Sequence, residues 1–132
     1  MSGQRGQALA EVALCLPIVL TLALGSVAVA RVADARGGLD AATAAAVEAA
    51  ARAADPNTAA NTAQAVFTAS VGAYGLGGPR LALELGSFAR GSQVTAAGSA
   101  TVAIGFAPLP GLAQSLTLTS HASARVEPWR SR

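Results

Sequence analysis

The chain has no lysine, one cysteine and one histidine, and only 4% of its 132 residues are aromatic. Each shortage removes a class of explanation. Cys15 alone can form no intramolecular disulfide and no thiolate metal cluster, and inside an apolar run it reads as one more small hydrophobe. Lipidation of that thiol needs small residues just ahead of it, and Leu14 stands there instead. All nine basic residues are arginine, spread singly from Arg5 to Arg132 against seven acids, so the pI near 9.5 comes without the basic stripe that nucleic acid requires. Hydrophobic residues make up 52% of the chain. With aromatics scarce, Ala, Val, Leu and Gly must fill the core, which favours close backbone approach over bulky plugs. The length allows one compact domain of modest core once an N-terminal segment is set aside.

Catalytic chemistry is equally thin. The four Glu and three Asp are dispersed, with no pair at short helical spacing to hold a metal or to divide acid and base roles. His121 shares strand parity with Thr119, Ser123 and Arg125, whereas Ser120 points to the other face, so no nucleophile elbow is built. The Gly-rich stretch Tyr74-Gly75-Leu76-Gly77-Gly78-Pro79 lacks the Lys-Ser/Thr that cradles phosphate. The expectation is a protein that is not an enzyme, with no cofactor, no metal and no small-molecule substrate.

What is present begins near the N-terminus. Residues 12–30, VALCLPIVLTLALGSVAVA, are 19 positions without a formal charge. As a helix they would be about 28 Å long, enough to span a bilayer. Arg5 and the amino terminus precede the run, while Arg31 and Arg36 after it are offset by Asp34 and Asp40, a weak bias toward N-terminus in and C-terminus out. Pro17 falls one turn in, where membrane helices tolerate it better than soluble ones.

Two processing signals overlap here. In one, Arg5 is a charged n-region, residues 12–24 an apolar h-region, and Ala28-Val29-Ala30 a small-x-small cleavage site releasing a secreted domain from Arg31. Glu11 fits that reading poorly. A carboxylate against the run costs roughly 2.5 to 3.5 kcal/mol if drawn to mid-membrane, although an acid in a helix's first turn gains about 0.3 to 1 kcal/mol from the macrodipole. In the other reading, Gly6 and Glu11 act together. A cut after Gly6 makes Glu11 the fifth residue of the product, where its carboxylate can neutralise the new amino group of a neighbouring helix in apolar surroundings. Glycine lets an extended backbone enter a tight peptidase site and breaks the helix there.

This arrangement resembles the class III signal of type IV pilins, and RGQALAEVALCLPIVL is similar to the start of TadE-like pilus-assembly pseudopilins. Gly6 matches the residue before the cut, Gln7 the first mature residue, Glu11 the acid and Pro17 the early proline; Val12 departs from the family's usual Phe. The resemblance implies a leader at residues 1–6, a transmembrane, pilin-like helix at 7–30 and an exported α+β domain at 31–132. It further implies cleavage by a prepilin peptidase, residence in the cytoplasmic membrane as a single-pass protein, and other pilins, the pilus assembly platform and the lipid bilayer as partners. The alternative is a secreted or singly anchored small binding domain that never polymerises.

Beyond the apolar run, residues 31–54 are Ala-rich and free of proline, so the helix is expected to continue. Arg36 with Asp40 and Glu48 with Arg52 are i,i+4 pairs, and Val32, Leu39 and Val47 form a thin apolar stripe. Gly37-Gly38 interrupts the run as a candidate hinge. Asp55-Pro56-Asn57-Thr58 reads as a stop and a new N-cap, opening a second helix over about 58–73 with Phe67, Val71 and Tyr74 aligned. After Pro79 the period changes to two. Three strands follow, with Leu81, Leu83 and Leu85 on one parity, then Val94, Ala96, Ala100, Val102, Ile104 and Phe106, then Leu116, Leu118, Ala122, Ala124 and Val126. Thr95, Thr101, Thr117, Thr119, His121, Arg125 and Glu127 take the solvent face. The Pro-rich connector at 107–112 is expected to fold over the sheet edge. The Val/Thr-rich strand, Pro-Leu loop and closing Arg-Val-Glu also look like the tail of TadE-like proteins. The fold expected is thus α+β and pilin-like: a long membrane helix continuing into a soluble helix, a second helix, then a three-stranded antiparallel sheet.

Overall fold

The computed structural model describes residues 2–105 and 114–127, so Phe106 and the 107–112 connector lie outside the described residues. Helix α1 (Ser2–Arg52) is followed by helix α2 (Pro56–Ala73) and strands β1 (Gly77–Glu84), β2 (Gln93–Ile104) and β3 (Gln114–Arg125). The chain falls into two compact units, Met1–Arg31 and Val32–Arg132.

The first unit is the leading part of α1. From Gly3 to Val27 every residue is exposed, although an 18-residue window of this helix has a mean hydropathy of 2.5. By length and composition this is the one helix, among the described residues, able to cross a membrane. Its hydroxyls are satisfied internally, as hydrocarbon surroundings require: Thr21 Oγ1 donates to the Pro17 carbonyl at 2.7 Å and Ser26 Oγ to the Leu22 carbonyl at 2.8 Å. Pro17 does not end the helix.

The second unit is an α+β core. On its stretch of α1, Ala35, Leu39, Ala42, Ala46, Val47 and Ala50 are buried at spacings of three and four, one face of a helix. Thr43 is also fully buried, and its hydroxyl is accommodated by donating to the Leu39 carbonyl at 2.8 Å. The expected interruption at Gly37-Gly38 does not occur, since α1 runs through both. A helical glycine costs about 1 kcal/mol relative to alanine, but a Cβ on Gly38 would meet the Tyr74 ring at 2.6 to 3.0 Å, so packing selects the glycine and holds the turn. Glu48 and Arg52 pair at 3.3 Å on the exposed side, whereas the pairing expected of Arg36 with Asp40 does not form.

Asp55 stops one helix and starts the next. Its Oδ1 accepts from the Thr58 backbone N–H at 2.9 Å, its Oδ2 from Thr58 Oγ1 at 2.7 Å, and Pro56 takes the first helical position. Helix α2 therefore begins two residues earlier than expected. Ala59, Ala63, Phe67 and Val71 are its buried face. Gly75, at φ +68°, ends it in a Schellman motif: the Leu76 N–H donates to the Val71 carbonyl at 3.1 Å and the Gly75 N–H to the Gly72 carbonyl at 3.0 Å.

The sheet order is β1-β2-β3, antiparallel throughout. Strand β1 starts at Gly77, ahead of the expected start, because Pro79 is tolerated on an edge strand where no ladder N–H is needed. The register slips between Gly77 and Arg80. Strands β2 and β3 pair without a break from Gln93 opposite Arg125 to Ile104 opposite Gln114. The alternation expected from the sequence holds through most of β2 and β3: Val94, Ala96, Ala100 and Val102 are buried with Leu118 and Val126, while Thr95 and Thr101 are half-buried and Thr117, Thr119 and His121 are exposed. It fails around the ends of β3, where Leu116, expected on the buried face, is 41% exposed and Glu127, expected in solvent, is half-buried. Gly98 lies mid-strand beneath Thr43 of α1 and Phe67 of α2. In the 85–92 connection Phe88 is buried at a φ of +50°, an unusual backbone for a bulky residue that is held by burial of its ring.

Candidate functional site

Gly6, Gln7 and Glu11 all lie in the exposed first turns of α1. The helix is not broken at Gly6, contrary to expectation, although a Cβ built there would touch nothing within 4 Å. The residues of this turn are exposed, and among the described residues none packs on Gly6, so unwinding here breaks helical bonds without uncovering a core. Gln7 and Glu11 are one turn apart, about 6 Å along the axis, and so share a face. A chain beginning at Gln7 would present its amino group and the Glu11 carboxylate on the same side. Among the described residues, no side chain of this chain pairs with Glu11. Immediately downstream lies the apolar run, with none of its hydropathy window buried. A carboxylate so placed needs a partner if the helix is drawn into an apolar environment, and that partner has to come from outside this helix.

The other candidates are not brought together. His121 is exposed on the outer face of the sheet, Ser123 lies next along the same face, and Ser120 is turned inward. Among the described residues no three His, Cys, Asp or Glu side chains gather as a metal site. Cys15 is exposed in the apolar run. The structure adds one feature that strand parity alone does not reveal. Ala82, Ala97 and His121 form one cross-strand row and Glu84, Thr95 and Ser123 the next, and the two small alanines leave a shallow trough of roughly 530 Å³. Thr95 Oγ1 donates to Glu84 Oε2 at its edge at 3.4 Å. Finding it requires the β1–β2–β3 register, which a single sequence does not specify.

The family model of the TadE-like proteins matches residues 6–54, from the glycine of the candidate cut to two residues past the end of α1. No curated protein and no solved structure matches the chain. The matched stretch contains Gly6, Gln7, Glu11, Pro17 and the whole apolar run. Over these residues the chain is similar to the TadE-like proteins, and that similarity suggests involvement in Tad pilus assembly.

Proposed function

We propose, from the match of residues 6–54 to the TadE-like family, that the chain is a minor pseudopilin that acts by helix packing in the assembly of a Tad, or type IVb, pilus or a related secretion filament. It is inserted with its N-terminus in the cytoplasm and its C-terminus outside. Residues 1–6 are a leader removed by a prepilin peptidase between Gly6 and Gln7, residues 7–30 are the transmembrane helix, and residues 31–132 are the exported domain. Glu11 neutralises the amino terminus of a neighbouring pilin helix. The observation that carries this reading is the exposed Glu11 carboxylate, without a partner among the described residues, at the mouth of an exposed apolar helix. In hydrocarbon, two opposite charges that meet avoid the several kcal/mol that each costs alone. Partners are accordingly other pilins, the assembly platform, the peptidase and the bilayer.

Sequencing the mature N-terminus tests the cut. A start at Gln7 supports the pseudopilin, whereas a start at Arg31 refutes it in favour of a secreted binding domain. Glu11→Ala tests the role of the carboxylate: membrane insertion stays intact and incorporation into filaments is lost. Normal incorporation of that variant would remove Glu11 from the mechanism.

A further inference from the structure

The glycine pair in α1 sets two residues of high backbone freedom side by side within a long helix, and one aromatic ring covers Gly38. Gly37 is exposed with nothing near a Cβ built on it. Gly38 is buried, and the Tyr74 ring lies so close that a Cβ there would fall 2.6 Å from its Cγ and 2.8 Å from its Cδ1. Tyr74 stands at the end of α2, just ahead of the Schellman bonds of Gly75 and Leu76, which fix where the ring is presented. Tyr74 as a residue is nevertheless 55% exposed and no member of the buried cluster, so it can be displaced without opening the core. Upstream of the glycines, the α+β unit holds α1 through little more than Val32 and Ala35; downstream, Leu39, Ala42, Thr43, Ala46 and Val47 are deeply buried.

We infer that Gly37-Gly38 is a latent hinge in α1, kept closed by the Tyr74 ring seated on Gly38. With the ring in place, Gly38 has no room to leave the helical conformation on the buried side. When the ring is withdrawn, two adjacent residues of maximal backbone freedom face a void and solvent, and the helical bonds crossing them open first. The segment at 32–36 is then released while the remainder of α1 stays packed. This device is independent of the pseudopilin reading, because it rests only on contacts inside the α+β unit.

Amide hydrogen exchange on the full chain in detergent micelles tests it. Bonds that span the glycines are donated by the amides of residues 37–41. Tyr74→Ala is expected to accelerate exchange at those amides by about tenfold and to leave the amides of residues 44–50 and of β2 unchanged. Gly37→Ala in the same background adds a methyl where nothing stands in its way, removes one hinge residue, and is expected to restore protection. Three results overturn the hinge: no acceleration in Tyr74→Ala, uniform acceleration across the whole unit, or failure of Gly37→Ala to restore the slow rates.

Discussion

A methyl group placed on Gly98 would stand 2.5 Å from Thr43 Oγ1 and 2.7 Å from the Phe67 ring. Neither neighbour can give way easily. Phe67 is fully buried, and the Thr43 side chain is tied to the Leu39 carbonyl. Gly98→Ala is therefore expected to destabilise the α+β unit by about 1 to 3 kcal/mol, the usual range for overpacking, as read by chemical denaturation of the full chain in detergent. Equal stability of variant and parent would mean that the helices do not rest on the sheet at this point. A glycine inside an alternating strand signals close backbone approach, but which side chains approach depends on both helices. The same applies to Gly38, because the Tyr74 ring that packs on it comes from the end of α2, far along the chain. Phe88 was less accessible still, since neither its burial nor its positive φ follows from any local pattern.

Elements were easier to read than residues because their causes are local. Alternation at β2 and β3 settles which face is buried, and Asp55-Pro56 carries its own start signal. Register and edge order are non-local, and so the outer trough between Glu84 and His121 emerged only from the structure. At the candidate processing site, the residue types and spacing of Gly6, Gln7 and Glu11 were fully legible, while the helical state of Gly6 was not. The start of α2 gives a test at this scale. Asp55 caps Thr58 through both carboxylate oxygens, so Asp55→Ala leaves the Thr58 N–H and hydroxyl without that acceptor and is expected to cost about 0.5 to 2 kcal/mol. Asp55→Asn keeps an acceptor for the Thr58 N–H and should lose distinctly less. Thermal unfolding followed by circular dichroism compares the two, and equal losses would deny the cap its role.

For the molecule as a whole, the two units answer to different solvents. The α+β unit has its own buried cluster, running from Ala35 and Leu39 through Phe67 and Val71 to Val94, Leu118 and Val126, and none of its members precedes Val32. Within the leading part of α1 the leucines are exposed, Leu14 at 73%. Apolar burial is what stabilises a fold, and at about 25 cal/mol per Å² the uncovered run represents a large penalty in water that a bilayer or neighbouring helices would remove. A chain comprising residues 32–132 is therefore expected to fold without detergent, to unfold in one cooperative transition, and to stay in the supernatant when mixed with phospholipid vesicles. The full chain is expected to sediment with the vesicles. If residues 32–132 gave no cooperative transition, the core would depend on the apolar helix, and the division into a membrane element and an independently folding unit would fail.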